Sequence, residues 1–303
     1  MFAARPPAGP PLHRDLPLAR AVRRAFTGPA EFLADPQNRA RTWEYLADMA
    51  RPFGREMTGG PVSEMELGQS YGEMAAALIG PAVPPEEPVD LLILAFSVHD
   101  LRPGRQTAAY LSHLTPGAPM AFAICDQGSA AAFSGLRIAR EYAASAGVRR
   151  TLLIVAEQAA LPYDCPVPLP SEHRAVAMLY GDCAAPQARV TGVRQHPGVP
   201  PGEVAGLAAS CLAELAAGHR DVALVLGDSL AALWAAPPAG RVQAMPPGQP
   251  STAPWWGLAD QLGAADRPDL IVAADYDPGL RYLSLVAFDT TPRRAGPAAS
   301  APE

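Results

Sequence analysis

Continuous apolar runs alternate with helix-spaced stretches along most of the chain. Val89-Asp-Leu-Leu-Ile-Leu-Ala-Phe96, Arg150-Thr-Leu-Leu-Ile-Val-Ala156, Arg174–Tyr180, Asp221–Leu226 and Asp269–Ala274 read as strands covered on both faces. Arg241–Met245 and Arg281–Phe288 add two more strands. The spacing of apolar positions predicts helices over Leu16–Phe26, Asn38–Met49, Thr107–Leu114, Glu203–Ala217 and Thr252–Leu262. A further amphipathic helix is predicted over Glu64–Leu78, ending at Gly80. Residues 1 to about 15 and the stretch Leu161–Pro170 are Pro-rich and read as irregular chain.

One stretch organises the rest. Ala121-Phe-Ala-Ile-Cys-Asp-Gln-Gly-Ser129 reads as a short buried strand, a tight turn at Gln127-Gly128, and a helix that begins at Ser129. A serine there is a good N-cap, because its hydroxyl can accept from the unpaired first-turn amides. Ala130–Leu136 is apolar or small on every face, and charges return only at Arg137, Arg140 and Glu141. A helix apolar all round is buried, so its N-terminal end lies deep and its C-terminal end reaches water. Oriented amides at a buried helix start stabilise developing negative charge. A polar side chain held there is a candidate nucleophile; a plain N-cap is the competing reading.

The second part of the chain repeats the first. Val89-Asp-Leu-Leu-Ile-Leu94 matches Arg220-Asp-Val-Ala-Leu-Val225, and the turn Asp126-Gln-Gly-Ser129 matches Gly248-Gln-Pro-Ser251. Leu152-Leu-Ile-Val-Ala-Glu157 matches Leu270-Ile-Val-Ala-Ala-Asp275, and Arg174–Asp182 matches Arg281–Asp289. A repeat of this length implies two similar α/β halves with mixed, mostly parallel sheets. Each half carries one helix that is apolar all round, and stacking the two between the sheets buries both. The division expected is 1–57 as an N-terminal extension with helices, 58–185 as the first half, and 186–303 as the second.

Composition narrows the function. The chain has 303 residues, 49% hydrophobic, enough for one double-sized domain or two smaller ones. Its formal net charge is -6 and every basic residue is Arg, an acidic balance that makes a poor nucleic-acid binder. Cys125, Cys165, Cys183 and Cys211 are widely spaced, with no Cys-x-x-Cys pair and no neighbouring His at metal-ligand spacing, so no metal is expected. With no signal peptide and no long apolar run, the expectation is a cytoplasmic protein without a membrane partner.

The order of elements from about residue 60 to 289, with Ala121-Phe-Ala-Ile124 leading into a Gly-Ser turn and a small-residue helix, resembles the thiolase fold. More closely it resembles the beta-ketoacyl-ACP synthase III family and its acyltransferase relatives. The resemblance implies an α-β-α-β-α arrangement with paired buried helices between two mixed sheets. It places the family's catalytic Cys at Ser129. The family's His falls at Leu226-Gly-Asp228-Ser229, which has none, and its Asn falls at Gly248-Gln249. Of the Gly-rich loop that supplies one oxyanion amide, Asp277-Pro-Gly279 keeps one matching Gly. In the family, His and Asn stabilise the enolate formed by decarboxylation, and a carboxylate at Asp228 would repel it.

Acyl transfer needs less: a nucleophile, a base and an oxyanion hole. The expected set is Ser129 as nucleophile, the amides of Ser129 and Gly279 as the hole, Gln249 as a donor to the acyl oxygen, and Asp228 or His99 as base. Each has a bland alternative: Asp228 a solvated loop residue, Gln249 a turn pin, His99 a surface residue. Two functions from different classes follow. The first is an acyltransferase that takes an acyl group from acyl carrier protein or CoA onto Ser129 and passes it to a small molecule or carrier in secondary metabolism. No cofactor is needed beyond the phosphopantetheine-linked or CoA-linked substrate. The second is a non-catalytic subunit that pairs with an active ketosynthase III-like chain. The resemblance implies a homodimer or heterodimer through the edge strand Pro119–Ile124.

Overall fold

The structure, a computed structural model, describes residues 15–55, 57, 68–98, 100–102, 104–160 and 169–292. The first half holds β1 (Leu16–Phe26), β2 (Leu91–Ala95), β3 (Met120–Ile124), β4 (Arg150–Glu157) and β5 (His173–Gly181). The second holds β6 (Ala188–His196), β7 (Val222–Leu226), β8 (Arg241–Ala244), β9 (Leu270–Asp277) and β10 (Tyr282–Asp289). In space they run β3-β2-β4-β5-β1-β6-β10-β9-β7-β8. Counted within each half, the order is the same, third-second-fourth-fifth-first. In both, the fifth strand runs antiparallel to its neighbours and the rest are parallel. The two sets meet where Leu16–Leu18 of β1 pairs with Ala188–Val190 of β6.

Strand alternation then defines the layers, since successive side chains point to opposite faces. Leu153 and Val155 of β4, with Ile271 and Ala273 of β9, face one central core shared with α4 (Ala131–Ser145) and α7 (Ala253–Gly263). Leu152 and Ile154 face outward to a second core with α2 (Tyr71–Ala82) and α3 (Thr107–Leu114). Leu270 and Val272 face a third, with α5 (Pro201–Leu215) and α6 (Asp228–Leu233). This is the α-β-α-β-α order, the thiolase-like fold. At its centre Phe133 of α4 packs on Trp255 of α7, ring centroids 4.8 Å apart, both rings fully buried.

Several expectations change. Leu16–Phe26 is not a helix but strand β1, paired residue for residue with β5 from Ala21↔Met178 to Phe26↔His173. Local spacing there suits a helix, but the sheet's unpaired edge offers every backbone group a partner, which outweighs weak propensity. The helix predicted from Glu64 is observed from Tyr71, and residues 58–67 lie outside the described ones. It runs past Gly80 to Ala82, carrying Pro81 in its last turn. The strand β6 and the short helix α6 were not expected. β6 alternates buried Ala188, Val190 and Gly192 with polar neighbours, a pattern diluted by its arginines. The helix α1 (Pro36–Ala50) matches its prediction, with Asp35 accepting from the Gln37 amide as its N-cap.

Candidate active site

Ser129 does not cap α4. A 3-10 turn, Gly128–Ala130, precedes the helix, whose N-cap position is Ala130 with no side-chain cap. The turn is set by two left-handed residues, Asp126 at φ 59 and Gly128 at φ 50. Ser129 is buried, as the small-residue pattern predicted. Its hydroxyl donates to the carboxylate of Asp275, and its backbone N–H donates to Asp277 Oδ2 at 3.1 Å.

Both carboxylates come from the second half. On β9, residues 271, 273, 275 and 277 point to the same face, so Ile271 and Ala273 enter the central core while Asp275 and Asp277 meet the start of α4. Space for them is made by two glycines. A Cβ at Gly128 would lie 1.8 Å from Asp277 Oδ2, and a Cβ at Gly227 would lie 2.1 Å from Asp275 Oδ1. Asp275 is buried, and burial pushes its carboxyl up from 3.8 to about 7; hydrogen bonds from the Ser129 hydroxyl and the Tyr276 amide hold it down, and the charges of Asp228 and Asp277 push it further up. A carboxylate titrating near neutrality beside a hydroxyl is a competent general base.

The expected residues fall as follows. Asp228 starts α6, accepts from the Ser229 amide at 2.8 Å, and acts on the site through its charge on Asp275. Gln249 is buried, but its amide group is spent: Nε2 donates to Ser171 Oγ at 3.1 Å and to the Glu172 carbonyl at 3.2 Å, and Oε1 accepts from Thr252. This is the turn-pinning role. Gly279 lies in an exposed turn that Leu280 closes by donating to Asp277 Oδ1 at 2.9 Å. His99 lies outside the described residues. The oxyanion hole expected from the Ser129 amide is therefore filled by the protein's own carboxylate. Among the described residues no group of three or more His, Cys, Asp or Glu is arranged to hold a metal ion.

The matching place in the other half is built differently. Glu157 ends β4 on the same inward face, and it accepts from the amides of Ser251 (2.5 Å) and Thr252 (2.9 Å) and from the Thr252 hydroxyl. Ser97, at the end of β2, shares a hydrogen bond of 2.9 Å with Ser251. Glu157 is a helix cap for α7 supplied by the other half of the chain. Asp275 and Asp277, the residues missed in the sequence, are its counterparts at α4. The internal repeat already paired Glu157, the last residue of β4, with Asp275, two residues before the end of β9.

No family model matches the chain, and no curated protein matches it. Solved structures do. AbyA1, described as a tetronic acid condensing enzyme, is similar at 18% identity and TM-score 0.61, over 90% of this chain and 99% of its own. ChlB3, described as an acyltransferase, is similar at 17% identity and TM-score 0.60, over 91% of this chain and 98% of its own. OleA of Xanthomonas campestris, solved with lauric acid and lauroyl-CoA, is similar at 16% identity and TM-score 0.61, over 92% of this chain and all of its own, 100%. What is shared at such identities is the fold.

Proposed function

We propose that this chain is a non-condensing, thiolase-fold subunit that pairs with an active ketosynthase III-like chain. The carrying observation is the hydrogen bond from the Ser129 amide to Asp277. Acyl chemistry at a helix start relies on free amides facing the developing oxyanion. Here that amide is occupied by the Asp277 carboxylate, and Asp275, which feels the charges of Asp228 and Asp277, lies against the hydroxyl of the same residue. An enolate or tetrahedral oxyanion would be repelled. Gln249, bound to Ser171 and Glu172, has no free donor to replace the missing Asn.

The partner's place is β3. It is an edge strand, Met-Ala-Phe-Ala-Ile, with no charged or Pro residue to blunt it, and Met120 is 49% exposed. An apolar edge left open in this way is a pairing template. The names of the similar structures, a condensing enzyme and an acyltransferase, support acyl-thioester chemistry for the assembled pair. That pair would act in the cytoplasm on acyl groups held by acyl carrier protein or CoA.

The test is reconstitution. Co-expressed with a complete Cys-His-Asn ketosynthase III-like chain from the same genome, this protein should co-purify with it and raise its condensing activity. Phe122→Lys on β3 should abolish both. A partner that is equally active alone, with no co-purification, overturns the proposal. A second reading, acyl transfer through Ser129 without decarboxylation, is favoured by the Ser129–Asp275 hydrogen bond. It requires the wild-type protein to form an acyl-serine.

A further inference from the structure

Two halves of a catalytic device meet at Ser129, and one contact keeps them from working. The hydroxyl is hydrogen-bonded to a buried carboxylate, the arrangement of a nucleophile with its base. The amide of the same residue points to where an acyl oxyanion would sit, but Asp277 Oδ2 is there at 3.1 Å. The carboxylate presses so close that only Gly fits at position 128. Asp277 ends β9, paired with Tyr282 of β10, and a short exposed turn joins the two strands. Pro278, Gly279 and Leu280 are exposed, Leu280 N–H donates to Asp277 Oδ1, and the Arg281 carbonyl accepts from the Val199 amide. The Asp277 side chain is half-buried and outside the apolar cores, so it can be removed without unpacking them.

We infer that the chain contains a latent acyl-serine site for acyl thioesters and activated esters, which the Asp277 carboxylate keeps shut by occupying the Ser129 amide. The inference rests on the reading above, that the wild-type chain is not acylated, and adds the cause. With the amide free, the step balances in the ordinary way. Ser129 Oγ attacks the thioester carbonyl carbon and its proton passes to Asp275. The tetrahedral oxyanion is held by the Ser129 N–H. The C–S bond then breaks, and the leaving thiolate takes the proton back from Asp275 as the thiol. Loss of Asp277 also removes one of the like charges that raise the Asp275 carboxyl, which leaves more of it ionised as base near neutral pH. Asp275 is the base of the latent reaction, and Asp277 is a blocking residue.

The experiment compares the full-length wild type with Asp277→Gly and Asp277→Asn, each checked for folding by thermal melting. Acetyl-CoA and p-nitrophenyl acetate are the probes, read by intact mass, peptide mapping and release of p-nitrophenol. Restoring one oxyanion donor should raise acylation of Ser129 by on the order of 10²–10³-fold in Asp277→Gly. The increase should be smaller in Asp277→Asn, which keeps one acceptor for the turn. The adduct should vanish in Asp277→Gly/Ser129→Ala and in Asp277→Gly/Asp275→Asn. Absence of a Ser129 adduct in every folded Asp277 variant overturns the inference and leaves the non-condensing reading standing. Should Asp277→Gly fail to fold, Asp277→Asn decides alone. Equal acylation of wild type and variants overturns both the inference and that reading.

Discussion

The starts of α4 and α7 are the same construction used for two ends. At each, a serine in a tight turn leads a buried helix, and a carboxylate from the inward face of the other half's strands rises to meet it. At α7 the carboxylate, Glu157, takes two amides and a hydroxyl and acts as a cap. At α4 the work is split: Asp275 takes the Ser129 hydroxyl and Asp277 takes its amide. The first arrangement satisfies a helix end with one charge. The second brings two carboxylates to the two donors of Ser129, and Asp228 adds a third acidic group whose charge reaches Asp275. One extra carboxylate, two residues further along β9, separates a cap from a blocked reaction centre.

If that contrast is right, removing the two matched carboxylates moves stability in opposite directions. The largest effect belongs to Asp275→Asn. In the unfolded chain this carboxyl loses its proton near 3.8, in the folded protein near 7. The folded state therefore binds the proton more tightly, and stability falls as pH rises through that window, then levels off. Ionising it in place costs on the order of 4 kcal/mol. Asp275→Asn should be more stable than wild type by about that much at pH 8, with the difference closing towards pH 4. Urea unfolding across the pH range measures it.

Glu157→Ala should go the other way. It strands the buried amides of Ser251 and Thr252 and should cost about 3 kcal/mol at neutral pH, since each unsatisfied buried donor costs about 1–3 kcal/mol. A gain in stability from this change would erase the distinction between the two helix starts. Gly128→Ala forces a Cβ into Asp277 at a left-handed φ, and should cost about 2 kcal/mol in the same assay. Restoring stability with Asp277→Gly in the Gly128→Ala background would confirm the clash as the cause. The smallest effect is that of Ser129→Ala, which takes one hydrogen bond from Asp275 and should cost about 1 kcal/mol. It should also move the pH dependence of stability upward, because the carboxylate loses a donor that favours its ionised form.

Much of this scaffold could be read from the chain. Strands β2, β4, β5, β7 and β9 are apolar runs with both faces covered, and the repeat paired the halves correctly down to the Gly-Ser and Pro-Ser turns. The small residues of Ala130–Leu136 announced a buried helix start at Ser129. What escaped was set by tertiary partners. β1 becomes a strand because β5 and β6 flank it. Ala274-Asp-Tyr-Asp277 looks like the polar end of a strand entering solvent, yet period-2 alternation turns both aspartates inward. The role of Gln249 was open because its partners, Ser171 and Glu172, lie 78 and 77 residues away in sequence. Gly128 and Gly227 were local signals: each is glycine because a carboxylate of β9 occupies the space a side chain would need.

The most direct measurement is the mass of the intact wild-type protein after prolonged exposure to excess acyl-CoA and, separately, to acyl-loaded acyl carrier protein. With the Ser129 amide held by Asp277, the protein should emerge at its unmodified mass with both donors. A mass increase of one acyl group, mapped to Ser129 and absent in Ser129→Ala, would contradict the account.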